Sequence, residues 1–419
     1  MPTHGIAPPG GLDPAHPRSP VLWAFFLASS WTWCIGMFLP ALLLRDAGWM
    51  GYLVFFLPNV IGAGAMGFVL RSPEAAARIA ERHAPMARLF SIVTLAFHAF
   101  WLAWLFGFFK QAFPIPDQWL MGAAAAGIAW IIASGRIVRA GAAPRAAAVL
   151  WVVALATAIA LLARPDTLSP TTAAMIAAPT HPDAALWLMP VCVFGFLLCP
   201  YLDLTFLLAR RHTSGVAGGR VAFGLGFWLF FPVMIGLTAI YAGPIIAVLE
   251  GRQPTSVAPW AGAAILFHII AQWTFTVRVH LAQLVPAMPQ PTAATEGSSP
   301  NAPLFPASSF VLPATFAACI GAAGLGLIAP SLPGHAGLTG GEIVYRGFLS
   351  AYGLLFPVYV WSRVIPRRRQ PTHAAWITAC VLAMPFYWMG FIERQGVWLA
   401  PGLLIAMVVP LLKRGPAPT

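Results

Sequence analysis

The sequence predicts an all-α integral membrane protein of about twelve transmembrane helices, arranged as two inverted five-helix units followed by two further helices. Three observations predict it. Of the 419 residues, 59% are hydrophobic and only 9% are charged, against about 25% charged in a soluble domain. A water-soluble core cannot bury that much apolar side chain, so lipid must solvate much of the chain. The apolar residues also fall into about twelve runs, each close to the ~20 residues that cross a bilayer as a helix. Finally, one phrase occurs twice: GYLVFFLPNVIG from Gly51 to Gly62, and GFWLFFPVMIG from Gly226 to Gly236. Both open on Gly and an aromatic residue, carry Phe-Phe and then Pro, and close on Ile-Gly.

Residues 1–20 are polar and rich in Pro and Gly. They lack the basic start and A-x-A-like cleavage site of a secretory signal, and read as a disordered cytoplasmic tail before an uncleaved first span. The spans follow at 21–44, 47–70, 88–109, 118–135, 145–163, 185–209, 220–249, 259–286, 309–330, 341–363, 373–393 and 395–413. Residues 21–163 make the first five-helix repeat, 185–363 the second, inverted one, and 373–413 the two additional helices. The run 220–249 is long enough to tilt or to carry an interfacial extension. After span 2, RSPEAAARIAERHAPMAR reads as an amphipathic surface helix.

With the N-terminus in the cytoplasm, seventeen of the 24 Lys and Arg residues fall on the cytoplasmic side, five outside, and two within spans. This positive-inside bias predicts a multi-pass protein of the cytoplasmic (inner) membrane with both termini in the cytoplasm. It also accounts for the net charge of +12 without a nucleic-acid partner. The loop 287–308 carries no basic residue and reads as a flexible Pro/Ser/Ala-rich linker. Cys34, Cys192, Cys199, Cys319 and Cys380 all lie in apolar runs without a C-x-x-C pair. They read as small buried hydrophobes rather than as disulfides or zinc ligands.

The repeated phrase falls in spans 2 and 7. Spans 1 and 6 echo each other too, with Gly36 and Pro40 in CIGMFLPALLLR and Gly195 and Pro200 in FGFLLCPYLDLTFLLAR. So do spans 3 and 8, with FHAFWLAW from Phe97 and FHIIAQW from Phe267. A repeat of five spans is odd, so the second unit enters the membrane from the opposite side, which is the inverted-topology repeat of secondary transporters. A 6+6 arrangement of the major facilitator kind would instead match span 1 with span 7, and no such match is present.

This layout resembles the LeuT fold of the amino acid–polyamine–organocation superfamily over spans 1–10, roughly residues 21–363, with spans 11 and 12 appended. The resemblance implies that spans 1 and 6 are unwound near their centres and hold the solute. It implies a secondary active transporter rather than an enzyme, moving a small organic solute by alternating access, coupled to Na+ or H+ and using no other cofactor. Its partners would be the lipid bilayer and that solute. Sodium-coupled members hold a cation between span 1 and hydroxyl groups of span 8. Two other readings remain open. One is a non-transporting sensor or degenerate transporter on the same scaffold, which the scarcity of intramembrane charge favours. The other is a membrane-embedded redox enzyme, with His98 and His268 as haem ligands.

Asp203 is the only acidic residue well inside a span, just after Pro200. Proline removes a backbone donor and should break the helix there. A buried carboxylate is costly unless paired, hydrated or protonated, so Asp203 is a candidate for a cation, a proton or a solute amine. The structural alternative is an ion pair with Arg210 or Arg211. Span 1 offers Ser29, Ser30, Trp31, Thr32 and Trp33, then Gly36. Hydroxyls and loosened carbonyls suit a cation or polar solute, and indole faces suit a ring or an amine. Ordinary packing of small residues is the alternative. In span 2, Asn59 follows Pro58, and GAGAMG from Gly62 reads as tight helix packing, since no strand precedes it as a phosphate loop requires. In span 8, His268, Gln272, Thr276 and His280 recur every fourth residue and share one helix face, with Thr274 and Arg278 nearby. Glu342 and Arg346, four apart on span 10, read as a pair that neutralises itself. The candidate solute- or ion-binding set is therefore Ser29, Ser30, Trp31, Trp33, Gly36, Asn59, Gly195, Asp203, Gln272, Thr274 and Thr276, with no catalytic residue.

Overall fold

A computed structural model of the protein describes residues 19–134, 141–164, 179–252, 257–284, 310–365 and 371–412. The tail before residue 19, the loop 287–308 and the basic residues Arg136, Arg139, Arg367, Arg368, Arg369, Lys413 and Arg414 lie outside the described residues. Within them a helix occupies the place of every expected span. Nine are long and apolar enough to cross a membrane, and shorter apolar helices stand at Pro20–Trp31, Asp117–Ala133 and Gly396–Leu411. Large apolar side chains such as Ile132, Phe310 and Ile320 project outward, as lipid contact requires.

Span 1 is in two pieces. The helix Pro20–Trp31 stops, Thr32 and Trp33 leave helical geometry, and Cys34–Val69 resumes. Side-chain hydroxyls crowd the last carbonyls before the break: Ser30 Oγ donates to Leu27 O at 3.2 Å, and Thr32 Oγ1 joins the Thr32 N–H on Ala28 O, at 2.8 and 3.1 Å, back-bonding of the kind that bends a helix. The restart is capped from span 3 (Ala84–Ala112): the Cys34 N–H donates to His98 Nε2 at 3.4 Å, while His98 Nδ1 donates to Thr94 O at 2.7 Å. Pro40, by contrast, does not interrupt the helix. The N–H it lacks would have bonded Gly36 O, and that carbonyl instead accepts from Thr238 Oγ1 of span 7 at 2.8 Å. Beside it, Tyr241 OH donates to Met37 O, also at 2.8 Å.

Spans 1 and 2 share the Cys34–Val69 helix, which turns at Ala47 and Gly48. Gly48 has φ +60°, a conformation that costs glycine little and other residues much. Span 6 is Ala184–Leu198, a tight turn Cys199–Leu202, and a second helix Leu204–His212. Pro200 strips the Phe196 carbonyl of its helical donor. That carbonyl faces Gly62 of span 2, where a Cβ would lie 2.5 Å from it. Nearby, Gly64 lies against the Trp228 indole and Gly67 against Phe223. The glycines of GAGAMG are thus the close contacts of span 2 with spans 6 and 7.

Span 7 runs Gly215–Leu225, a wide turn Gly226–Phe230, and Phe231–Ile240. A separate short helix, Ala242–Leu249, accounts for the excess length of the 220–249 run. Spans 4, 5, 8 and 9 are Asp117–Ala133, Ala143–Leu162, Pro259–Leu284 and Val311–Ile328. Span 10 is Gly340–Tyr359 with a wide turn to Val364, and spans 11 and 12 are His373–Phe391 and Leu399–Leu412. The amphipathic helix after span 2 is limited to Pro73–Arg82, started by Ser72, whose hydroxyl accepts the Ala75 N–H at 3.2 Å. From Ala84 onward its expected length belongs to span 3.

Candidate solute and ion site

The two breaks meet spans 5 and 8 in a buried polar node. Gln272 of span 8 donates its side-chain amide to the carbonyls of Ser29 and of Thr32, the latter at 2.9 Å, and lies 3.0 Å from Thr276 Oγ1. Ser29 Oγ donates to Ala147 O of span 5 at 3.3 Å. From span 6, the Thr205 hydroxyl has one proton for two neighbours, Asp203 Oδ1 at 2.7 Å and Ser30 Oγ at 3.2 Å. Asp203 is fully buried, and its Oδ1 also accepts the Thr205 N–H at 2.7 Å, capping the second half of span 6. Its Oδ2 has no hydrogen-bond partner among the described residues.

The expected structural alternative for Asp203 does not hold. Arg210 spends its guanidinium on backbone carbonyls: Leu70 at 2.6 Å, Thr213 at 3.0 Å and Gly215 at 3.0 Å. Among the described residues no ion pair joins Asp203 to Arg210 or Arg211. Thr274 is not brought to the node either. Two residues along a helix point to nearly opposite sides, and Thr274 faces span 4, where a Cβ on Gly127 would lie 2.7 Å from its hydroxyl. The His268–His280 face is buried, as its spacing predicts. His280 Nδ1 lies 3.4 Å from Ser91 Oγ, and its ring meets Trp33 edge-on. Haem ligation by His98 fails on geometry, because backbone groups occupy both of its ring nitrogens.

In front of the node lies a cavity of about 130 Å³, bordered by Trp31, Trp33, Gly36, Asn59, Gly195, Phe196 and Tyr352. An apolar cavity near that volume holds one small ring. Trp31 Nε1 donates to Asn59 Oδ1 at 2.6 Å and Trp33 Nε1 to Ser30 O at 2.7 Å, which fixes both indoles 4.7 Å apart. At Gly195 a Cβ would meet nothing within 4 Å, so bare backbone of span 6 borders the space. Ser29, Ser30, Asp203, Gln272 and Thr276 do not line the cavity. The candidate set thus divides into a cavity wall and a polar node behind it.

The cavity extends to Asp46, His181, Arg346 and Arg394, where the sequence reading found only a self-neutralising pair. Glu342 and Arg346 do pair, at 3.0 Å. Arg45 also binds both oxygens of Glu342 and lies 2.9 Å from Asp46, while Arg394 reaches Asp46 at 3.0 Å. Arg346 completes the ring to Asp46. Five charges thus join the end of span 1, the start of span 10 and the link between spans 11 and 12. Arg394 also donates to Thr180 Oγ1 ahead of span 6, at 3.0 Å. The traces of the ring in sequence are the i,i+4 pair of Glu342 and Arg346 and the adjacent Arg45-Asp46 closing an apolar run; nothing there joins the two.

No protein-family model matches the chain, and no curated protein is similar to it in sequence. Solved structures are similar in fold. A Na+-coupled sialic acid symporter in a substrate-bound outward-open state aligns with a TM-score of 0.56 and 12% identity, covering 96% of this chain and 92% of that one. Mhp1, a nucleobase-cation-symport-1 family transporter in a closed conformation with bromovinylhydantoin bound, aligns over 96% of this chain and 95% of that one, with TM-score 0.45 and 14% identity. MhsT in complex with L-phenylalanine aligns over 94% and 97%, with TM-score 0.46 and 13% identity. At such identity the likeness is one of fold. With two broken helices one half apart, ten spans in the expected order and two appended, the chain is a multi-pass membrane protein of the LeuT fold.

Proposed function

We propose that the chain is a secondary active transporter that moves a small organic solute across the cytoplasmic membrane, driven by a Na+ or H+ gradient, with both termini cytoplasmic. The observation that carries this reading is the pair of breaks, at Thr32–Trp33 and at Cys199–Asp203, in corresponding helices around one cavity. Irregular backbone at membrane depth is tolerated where it is buried in protein or lines a cavity. Its loosened carbonyls and its pivots are what a site with alternating access needs. In this reading the halves 21–163 and 185–363 rock against each other about the cavity. The ionic ring of Arg45, Asp46, Glu342, Arg346 and Arg394 closes one end. Indole and phenyl walls suit an apolar or ring-shaped body. Three arginines against two carboxylates leave the ring one positive charge, which favours a solute bearing a carboxylate over one bearing an amine.

Proteoliposomes holding the full chain would be given radiolabelled amino acids, carboxylates, nucleobases, amines and sugars under imposed Na+ or proton gradients. Saturable, gradient-dependent accumulation of one class is expected. A solute that raises the melting temperature without ever being accumulated would favour the sensor reading instead.

A further inference from the structure

The break in span 1 creates a problem that the chain must solve. Residues after a break no longer offer N–H groups to the carbonyls before it. In the interior of a membrane protein each bare carbonyl is costly. Three agents can satisfy a converging pair of carbonyls: a water, a cation, or a donor from a neighbouring helix. The Ser29 and Thr32 carbonyls converge on a single atom, the amide nitrogen of Gln272.

We propose that Gln272 fills with its own amide the place where a metal cation would bridge spans 1 and 8, so that the break in span 1 is held without Na+. The orientation of the amide follows from its surroundings. Its nitrogen faces two carbonyl oxygens, which accept only. Turned over, the amide would set Oε1 against both, so the NH2 must face them. Two N–H donors thereby meet two carbonyls, and Thr276 Oγ1 stands at 3.0 Å on the same side. A hard cation needs oxygen ligands around it. Here the centre of the oxygen set is already a donor, and the carbonyl lone pairs are directed at it.

The other hydroxyls do not complete an oxygen cage here: Ser29 Oγ is drawn towards Ala147 O of span 5, and Thr274, two residues along from Gln272, is turned to span 4, where its hydroxyl has no partner among the described residues. The residues between spans 1 and 8 therefore do not fit the cation that the fold's sodium-coupled members hold there. Given the transporter reading above, on which this consequence alone rests, the driving ion is not a metal held at this place.

The test needs neither a solute nor flux, so a failure of transport leaves it standing. The full chain is purified in detergent and melted in choline, Na+, Li+ or K+ chloride at one pH and ionic strength, and binding of radioactive sodium is measured in parallel. The wild type should melt alike in all four and bind no sodium saturably. Gln272→Ala opens a space ringed by the Ser29 and Thr32 carbonyls and the Thr276 hydroxyl. It should melt lower in choline, with a saturable recovery in Na+ or Li+ that K+ does not give. Gln272→Leu fills the space without a donor and should melt lower with no recovery. Saturable sodium binding or Na+ stabilisation of the wild type would overturn the proposal. So would a Gln272→Ala protein that melts like the wild type in choline. If neither variant folds, the wild-type titration decides alone.

Discussion

Glu342→Ala is the most direct probe of how the cavity end is closed. The Glu342 side chain is 0% exposed and that of Arg45 only 4%. The alanine variant leaves three arginines facing Asp46 as the one remaining carboxylate, so the net charge of the ring rises from one to two. Removing one member of a buried ion pair typically costs about 3–5 kcal/mol, because the other is left charged and unpaired. Arg45 keeps Asp46, and Arg346, at 12% exposure, can turn partly to water, so the lower end, about 3 kcal/mol, is expected. The assay is reversible unfolding of the purified protein in SDS–detergent mixtures. An Arg45→Met/Glu342→Leu double variant replaces the pair by apolar groups and should be less destabilised than Glu342→Ala alone. A loss under about 1 kcal/mol for Glu342→Ala would place the ring in the surface-ion-pair class and refute its role as a buried fastening.

Asp203→Asn should keep the cap on the Thr205 N–H and melt close to the wild type, yet lose gradient-driven uptake; Asp203→Ala should lose about 1 kcal/mol with the cap as well. Normal coupled uptake by the Asn variant would return Asp203 to a purely structural part. Gly62→Val places a Cβ 2.5 Å from the Phe196 carbonyl and should cost about 1–3 kcal/mol as spans 2 and 6 are pushed apart; unaltered melting would show that the helices do not touch there. His83 sits outside the spans, 3.0 Å from Tyr359 OH. Burial first, and then repulsion from Arg82, Arg363 and His373, pushes its pKa down to about 4. The unfolded chain, titrating near pH 6.5, therefore takes the proton first, and stability should fall as pH drops from about 6.5 towards 4. His83→Gln should flatten that slope, and an identical melting profile across this range would contradict the assignment.

The spans were legible because each is a long apolar run, and the order of the two halves was legible because Gly, Pro and Phe-Phe recur at matching places. The break in span 6 could be read from Pro200. The break in span 1 could not be read from Pro40, because whether a proline breaks a helix depends on who takes the freed carbonyl. Here Thr238, about 200 residues away, takes it. Thr274 joins Gln272 and Thr276 in the candidate set only by nearness in sequence; its two-residue offset already turns it to the other side of the helix, and the packing of span 4 against span 8 confirms this. The ionic ring was illegible for the same reason as the break in span 1: Arg45 and Glu342 stand 297 residues apart, and charges at the ends of apolar runs look like topology signals. Thr205, which ties Asp203 to Ser30, carried no signal beyond being a threonine in an apolar segment.

The split in span 1 bears on how the protein is made. Its first half has 12 residues, about 18 Å of helix against a hydrocarbon core of about 30 Å, so it cannot cross alone. The amide that satisfies the Ser29 carbonyl lies 243 residues downstream, and until it has been synthesised the nearest donor for that carbonyl is the helix's own Trp33 N–H. A nascent span 1 is therefore more stable inserted as one unbroken helix, in which Thr32 and Trp33 are ordinary turns and Ser29 bonds its own ladder. Maturation then requires a local melting event late in biogenesis, when span 8 arrives and draws the carbonyls away. Cysteine-accessibility mapping of membrane-arrested chains ending before residue 257 and after residue 284 would show this directly. Protection continuous through residues 32 and 33 is expected in the shorter chain and interrupted in the longer one, and the same pattern in both would mean that the break is present from the start.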